Sequence, residues 1–258
     1  MPSWTYLTFQ DRSSSYIAEL SFLHDHIITI IVLIIILISY IIICIILNYA
    51  YYKFLSEGIF IETIWSIIPA LLLVVLVVPS IRVLYYLEDV KHPLHTFKIV
   101  AHQWYWTYIV PLFFNLYFKV GGDRVSYIEY DSIVKDESSG FGLRLLEATS
   151  DLVIPVNSTS RLLITSTDVI HSFAVPSLGL KVDAIPGRVN QLYSNPTRVG
   201  FYSGQCSEIC GSNHAFIPIN VRVASLRDFK EYSKSITIDY FCESQEFFSL
   251  SNLVLSLS

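Results

Sequence analysis

Two cysteines and two histidines give this sequence its clearest chemical signature. Cys206, Cys210 and His214 share the stretch GQCSEICGSNHAFIPIN, with three residues between each of these positions and the next. His171 lies further upstream, in the stretch IHSFAVPSLG. Thiolate and imidazole are the ligands that copper and zinc prefer in proteins, so the set indicates a site for one of these metals.

Several kinds of site are compatible with these four side chains. Cys206 and Cys210 can form a disulfide in an oxidising compartment, and all four residues can form a structural Cys2His2 zinc site. A mononuclear blue-copper site needs one Cys and two His, which leaves one thiol unused. Two thiolates that bridge two copper ions, each capped by one His, use all four residues. Such a pair shares one electron over two metals, so each bond changes little on electron transfer.

A β domain is predicted to position these ligands. Beyond Lys91 the chain consists of short runs rich in Val, Ile, Tyr and Phe, separated by Gly, Pro, Asn and Ser, such as DLVIPVN, RLLITST and FIPINVRVAS. This pattern is typical of an all-β sandwich or barrel. We predict a β domain over residues 92–227, whose strands bring His171 to the end of the domain that holds the cysteine loop. Residues 228–258 form a tail without an assignable role.

The segment before the β domain is predicted to lie in a membrane. The chain is 53% hydrophobic and only 15% charged, whereas a soluble domain is about 25% charged. Residues 27–47 carry no charge and are long enough to cross a hydrocarbon core of about 30 Å. A second apolar run, residues 63–81, contains Pro69 and Pro79, which membrane helices tolerate. We predict helices at about 27–48 and 62–87, joined as a hairpin within residues 1–91.

Charge and aromatic residues add two further observations. The net charge of -5 provides no basic patch, so no nucleic-acid partner is expected. The run His102-Gln103-Trp104-Tyr105-Trp106 is more typical of core and interface anchors than of redox chemistry. Close to a metal, however, an exposed Trp104 could conduct electrons. Glu62, at the start of the second predicted helix, is costly if it faces lipid, so a partner or a proton path is an alternative to simple solvation at the membrane surface.

The sequence resembles subunit II of mitochondrial cytochrome c oxidase. The resembling stretches are FQD at 9–11, HDH at 24–26, ETIWSIIPA at 62–70, HQWYW at 102–106, DVIHSFAVPSLGLKVDAIPGRVNQ at 168–191 and GQCSEICGSNHAFIPI at 204–219. The resemblance extends from near the start of the chain to about residue 227.

The resemblance implies a transmembrane two-helix hairpin followed by an all-β cupredoxin-like sandwich or barrel. It places the protein in the mitochondrial inner membrane, with the N-terminus and the β domain in the intermembrane space. It further implies a binuclear copper centre, CuA, that accepts electrons from cytochrome c and passes them to haem in subunit I. Reduction of O2 to water, coupled to proton pumping, belongs to subunit I, so this chain alone should reduce no oxygen.

The resemblance also implies roles for individual residues. The copper ligands of the family correspond to His171, Cys206, Cys210, His214 and the backbone carbonyl of Glu208. The Glu208 carboxylate would serve a magnesium site shared with subunit I. Trp104 would accept electrons from cytochrome c, with Tyr105 and Trp106 as further candidates. Glu62 would occupy a position on a proton path. Asp168, Glu129 and Asp131 would dock cytochrome c. The implied partners are subunit I, other oxidase subunits, cytochrome c and inner-membrane lipid.

One ligand position departs from the family pattern. The family has an axial Met ligand three residues after the last His, and this chain has Ile217 there, whose side chain has no donor atom. Either the site lacks the thioether, or a Met codon has been read as Ile. The second explanation is favoured because the only Met of the chain is Met1.

Two rival functions remain open from the sequence. One is a structural subunit without a working copper centre, as in quinol-oxidising relatives, although those relatives lack the four Cys and His ligands. The other is a free-standing membrane-anchored zinc or metal-binding protein, which would purify without haem-bearing partners.

Overall fold

The computed structural model describes residues 9–47, 57–88, 92–111, 119–120, 123–124, 127–135 and 144–239. The chain divides into two compact units. One unit spans Ala18–Asp89 and contains most of the helical segment. The other combines Met1–Ile17 with Val90–Ser258 and contains the β domain.

Two long apolar helices precede the β domain, as predicted. Helix α1 spans Ser15–Ile46 and helix α2 spans Ile59–Glu88. Both are long and apolar enough to cross a membrane, and most of their large apolar side chains face outward, as lipid-facing side chains do. Pro69 and Pro79 lie inside α2 without interrupting it.

The start of the first helix was predicted too late. We placed it at about residue 27, where the charged residues end, but α1 begins at Ser15. A helix of 32 residues is about 48 Å long, more than the hydrocarbon core requires. Its first turns carry Glu19 and Asp25 and are helical because the intrahelical hydrogen bonds form equally well outside lipid. Helix α2 begins at Ile59, three residues before its predicted start.

The β domain consists of short strands, as the alternation of apolar runs and turn residues predicted. The strands among the described residues are β1 (His95–His102), β2 (Tyr105–Pro111), β3 (Lys119–Val120), β4 (Asp123–Arg124), β5 (Tyr127–Ser132), β6 (Leu152–Pro155), β7 (Ser160–Ser166), β8 (His171–Val175), β9 (Leu180–Ala184), β10 (Asn190–Ser194), β11 (Gly200–Gln205) and β12 (Pro218–Ala224).

The strands form two main sheets around one core. A five-stranded sheet has the order β10-β7-β1-β2-β5, and a three-stranded sheet has the order β11-β12-β6. Strands β8 and β9 pair separately as a hairpin. One apolar cluster joins residues of both main sheets, among them Phe97, Trp106, Ile154 and Val221. This arrangement is a β-sandwich, whose strands alternate inward apolar and outward polar side chains.

A helix over residues 226–239 packs against the β domain. Sequence analysis assigned no role to this part of the tail. Ser225 caps the helix, because its Oγ accepts a hydrogen bond from the Asp228 amide at 3.2 Å. Phe229 is 3% exposed and belongs to the main core. The spacing of Phe229, Ser233 and Thr237, all buried, places one helix face on the sandwich. The remainder of the tail, residues 240–258, lies outside the described residues.

Candidate metal centre

A strand and a loop at one end of the sandwich bring the predicted ligands together. His171 is the first residue of β8, a strand in which every residue is buried. Cys206, Cys210 and His214 lie on the loop between β11 and β12. The predicted return of a strand that carries His171 to the end of the cysteine loop is confirmed, and it results from the packing of β8 beside β11.

A glycine allows β8 and β11 to approach closely. A Cβ atom on Gly204 would lie 1.8 Å from the Ala174 carbonyl oxygen, so no larger residue fits there. Two backbone hydrogen bonds then fix the start of the cysteine loop. The Ser207 amide donates to the Ser172 carbonyl at 3.1 Å, and the Cys206 amide donates to the Ile217 carbonyl at 3.1 Å.

The ligand atoms face one another at distances suited to metal binding. The two Sγ atoms are 3.9 Å apart, and both cysteines are free thiols, so the structure contains no Cys206–Cys210 disulfide. The Nδ1 atom of His171 is 4.0 Å from the Sγ of Cys206. The Nδ1 atom of His214 is 3.5 Å from the Sγ of Cys210. Each thiol therefore has one imidazole beside it.

The spacing of the donors is compatible with two metal ions. A single tetrahedral ion with bonds of about 2.0–2.3 Å would hold its four donors about 3.3–3.8 Å from one another. Donor atoms of His171, Cys206 and Cys210 lie within 4.8 Å of one another, and His214 is outside this group. With one imidazole at each side of a thiol pair, the arrangement fits two ions bridged by two thiolates.

Asp168 orients His171 from outside the ligand group. The Nε2 atom of His171 lies 2.8 Å from the Asp168 carboxylate. Because a carboxylate only accepts, Nε2 carries a proton, which leaves Nδ1 of the neutral imidazole as the atom that can bind a metal. Burial lowers the pKa of His171, but its hydrogen bonds with Cys206 and Asp168 outweigh burial and raise that pKa. Burial raises the pKa of Asp168, but hydrogen bonds from His171 and from the amides of Val169 and Gln103 lower it overall.

The two thiols differ in acidity. Burial raises the pKa of Cys206, but hydrogen bonds with His171 and the Ser172 backbone outweigh burial and lower that pKa to about 6. Burial and the negative charge of Cys206 raise the pKa of Cys210 to about 12. Cys206 is therefore the more acidic of the two thiols, and a metal that binds a thiol of this site releases its proton.

Two further predicted ligand positions lie on the same loop. The backbone carbonyl of Glu208 is 3.4 Å from the Sγ of Cys206, while Glu208 as a whole is exposed. Ile217 is 1% exposed and lies where the loop returns to β12. The side chain of Ile217 offers no donor atom.

The predicted aromatic residues separate into surface and core. Trp104 and Tyr105 are partly exposed. Trp106 is fully buried, with its ring centroid 6.1 Å from that of His171. Only Trp104 and Tyr105 of the three can therefore meet a partner protein. Trp104 lies over Gly211, whose added Cβ would be 3.3 Å from two indole atoms.

The remaining predicted residues lie outside β8 and the cysteine loop. Glu129 and Asp131 are exposed on β5, an edge strand of the five-stranded sheet. The Asp131 carboxylate accepts a hydrogen bond from the Thr107 hydroxyl at 2.7 Å. Glu62 lies in the first turn of α2, in the other compact unit. Asp168, predicted as a docking residue, is exposed and also accepts hydrogen bonds beside His171.

Sequence reasoning missed two residues that build the site. Gln103 donates a hydrogen bond from its side-chain Nε2 to the Cys210 carbonyl at 2.7 Å. Gly204 permits the contact of β8 with β11 described above. The HQWYW motif contained Gln103, but the pattern drew attention to the tryptophans. Nothing local distinguished Gly204 from a glycine in a turn.

Comparison with known proteins gives the family of this chain. Residues 95–224 match the family model described as cytochrome C oxidase subunit II, periplasmic domain. Residues 2–83 match the model for the transmembrane domain of the same subunit. This chain belongs to the cytochrome c oxidase subunit II family. It is therefore one subunit of a haem-copper oxidase complex, and it works with the other oxidase subunits.

Relatives and a solved structure agree with this assignment. The chain is 42% identical to cytochrome c oxidase subunit 2 of Choristoneura rosaceana, over 89% of this chain and 96% of that protein. It is 40% identical to the subunit of Aedes aegypti, over 91% of this chain and 99% of that protein. The periplasmic domain of subunit II of cytochrome oxidase of Bradyrhizobium japonicum is 35% identical, with a TM-score of 0.50, over 58% of this chain and 98% of that domain.

The family assignment agrees with the fold and the donor set. Two apolar helices followed by a cupredoxin-like β domain are confirmed. The family implies CuA copper, and His171, Cys206 and Cys210 form a possible metal site. The insect subunits, which are mitochondrial, and the transmembrane-domain match support a protein of the inner membrane.

Proposed function

We propose that the β domain holds a binuclear copper centre that receives electrons from cytochrome c and passes them to haem in subunit I. The observation that carries this proposal is the pair of thiols 3.9 Å apart with one imidazole beside each. His171, Cys206, Cys210, His214 and the Glu208 carbonyl would hold the two ions. When bound, the pair accepts and donates one electron with little change in its bonds. Haem is expected only in the partner subunit.

The protein's own residues prepare the site for this role. Asp168 fixes the tautomer of His171, so that Nδ1 faces the thiols. Cys206 and Cys210 are 6% and 4% exposed and belong to the apolar core, so little water reaches the two thiols. Exclusion of water keeps reorganisation of solvent small when the charge of the centre changes.

Electrons are proposed to enter through Trp104. This side chain is partly exposed, and its indole lies over Gly211, the residue that follows Cys210. A partner that covers Trp104 would therefore contact a side chain that packs against Gly211, the chain neighbour of the proposed copper ligand Cys210. Tyr105 stacks on His102 beside it, with ring centroids 4.6 Å apart and planes 5° apart, and enlarges the exposed aromatic surface.

Acidic residues are proposed to attract basic cytochrome c. Glu129 and Asp131 are exposed on β5, and Asp168 lies beside the HQWYW motif. Complementary charge raises the rate of association, and this effect becomes smaller as the salt concentration rises. Since Asp168 also holds His171, its substitution would change the metal site as well as docking, and Glu129 and Asp131 are the cleaner residues for a docking test.

Three finer assignments complete the proposal. The Glu208 carboxylate would bind the magnesium ion shared with subunit I, since its side chain is free to turn outward while its carbonyl faces Cys206. Glu62 would stand near the mouth of a proton channel. The N-terminus and the β domain would lie together in the intermembrane space. Support for this topology comes from the bridge between Ser14 and Pro196 and from the 2.7 Å hydrogen bond of Ser14 to the Leu178 carbonyl, which attach the N-terminal segment to the β domain.

Metal analysis of the purified oxidase tests the copper centre. We expect Cys210→Ser to lose two copper ions together. The near-infrared absorption and the electron-spin signal of a mixed-valence pair should be lost with them. Cys44→Ser, in helix α1, removes a thiol outside the site and should keep both ions. A single metal ion at this subunit in the wild-type oxidase, or an unchanged copper content in Cys210→Ser, would contradict the binuclear centre.

Transfer kinetics test the route from cytochrome c. Trp104→Phe should slow electron transfer at saturating cytochrome c and leave the copper content unchanged. Glu129→Gln combined with Asp131→Asn should raise KM at low salt and change transfer at saturation little. If Trp104→Phe transfers electrons at the normal rate, electrons enter elsewhere.

A further inference from the structure

Gln103 connects the loop that carries Cys210 with the strand that carries His171. Its side-chain Nε2 donates to the Cys210 carbonyl at 2.7 Å. Its backbone amide donates to the Asp168 carboxylate at 2.6 Å, and the same carboxylate lies 2.8 Å from His171. One residue thus holds the cysteine loop and, through Asp168, the histidine strand.

The same residue fixes the position of Trp104. Gln103 precedes Trp104 in the chain, and both side chains lie against Gly211. A Cβ on Gly211 would be 3.1 Å from the Gln103 Nε2 and 3.3 Å from the Trp104 Nε1. The backbone φ of Gly211 is +129°, a conformation that favours glycine. The contact between the Trp104 indole and the cysteine loop therefore depends on two features. These are the hydrogen bond from Gln103 to the Cys210 carbonyl and the absence of a side chain at Gly211.

We propose that Gln103 is a positioning residue that holds Trp104 against the loop of Cys210 and so fixes the length of the electron path into the copper centre. This inference rests on the proposed role of Trp104. The alternative role for an exposed glutamine is a contact with cytochrome c itself. The two roles differ in what they change: positioning affects transfer after the partner has bound, whereas a surface contact affects binding.

Two substitutions in the intact oxidase separate these roles. Gln103→Glu keeps the size of the side chain, but a carboxylate cannot donate to the Cys210 carbonyl. Gln103→Leu removes all polar contact of the side chain. We expect both to slow electron transfer from bound cytochrome c by about tenfold, because misplacement of reacting groups by on the order of 1 Å costs up to about 100-fold in rate. Copper content and the near-infrared absorption should stay unchanged, and KM should change little.

A structural measurement on the same variants does not depend on activity. Without the side-chain hydrogen bond, the loop over residues 207–214 should open more often, so its backbone amides should exchange hydrogen faster than in the wild type. Gln191→Leu is the matched control, since Gln191 is an exposed glutamine on β10, at the far edge of the five-stranded sheet. This control should change neither the transfer rate nor the exchange.

The results distinguish failure of this inference from failure of the proposed function. If Trp104→Phe slows transfer but Gln103→Glu and Gln103→Leu do not, Gln103 is not a positioning residue. A rise in KM alone in the Gln103 variants would assign Gln103 to docking. If Trp104→Phe has no effect, the proposed route itself is wrong. If Gln103→Leu loses copper, the isosteric Gln103→Glu alone decides whether Gln103 positions Trp104.

Discussion

Substitution of Gly204 by Ala tests whether the close contact of β8 with β11 builds the metal site. The new Cβ would lie 1.8 Å from the Ala174 carbonyl oxygen, whereas close contacts between carbon and carbonyl oxygen begin at about 3.3 Å. The strands must therefore separate by about 1.5 Å, the difference between these two distances. Such a shift would lengthen the Ser207–Ser172 hydrogen bond from 3.1 Å to about 4.6 Å and break it.

The same displacement decides whether the ligands can share a metal. The His171 Nδ1 and the Cys206 Sγ are 4.0 Å apart. One ion can bind both atoms only up to about 4.4 Å, the sum of bonds of about 2.1 and 2.3 Å. A separation near 5.5 Å, as expected if the strands move apart by about 1.5 Å, exceeds this limit. We therefore expect Gly204→Ala to lose copper at the His171 side of the site, and overpacking to destabilise the domain by about 1–3 kcal/mol.

Copper content and near-infrared absorption of the purified oxidase measure this effect. The control is Gly187→Ala, at a turn where an added Cβ meets nothing within 4 Å although φ is +74°. That control introduces backbone strain without a clash, so it should lower stability modestly and keep both copper ions. A Gly204→Ala oxidase with the full copper content and unchanged absorption would refute the argument that this contact positions the ligands.

Three further predictions concern the rest of the site and the domain. Mass spectrometry of the peptide spanning Cys206–Arg222 from the natural complex should show Met at position 217. If it shows Ile, the centre lacks a thioether, and Ile217→Met should then shift its reduction potential. Asp168→Ala should weaken copper binding by about 10–100-fold, as loss of a partner of a ligating His does; Asp168→Asn, whose amide oxygen still accepts from His171, should lose less. Competition with a chelator measures both, and equal affinities would contradict the role of Asp168. Phe229→Ala should destabilise the domain by about 3–5 kcal/mol, because it empties a core position. Thermal loss of the near-infrared band should report this, with the exposed Leu226→Ala as control; equal midpoints would show that the helix over residues 226–239 contributes little.

The arrangement of the site explains why its sequence signals are so unequal in strength. Cys206, Cys210 and His214 share one loop, so local spacing alone revealed them. His171 is distant in the chain, and it was linked to the others by its residue type and by the predicted return of a strand to the same end of the domain. Asp168, in the same motif, resembled a docking residue, and its hydrogen bond with His171 became visible only once β8 was placed.

The sequence by itself determined the features that depend on local composition and spacing. Long uncharged runs indicated membrane helices because an apolar helix of sufficient length is all that crossing the hydrocarbon core requires. Alternating short apolar runs indicated a β domain because the two faces of a strand differ in burial. The types and spacing of the cysteine-loop donors indicated copper or zinc because ligand chemistry is local.

Tertiary structure alone decided what depends on contacts between distant residues. The Gly204 contact, the Asp168–His171 pair and the bridge from Gln103 to Cys210 each join segments that no local pattern relates. Helical starts such as Ser15, and the packing of Phe229, likewise depend on hydrogen bonds and burial beyond the apolar runs. The distances that bring His171 within reach of the cysteine loop follow from the packing of β8 beside β11, because packing sets geometry only after the chain has folded.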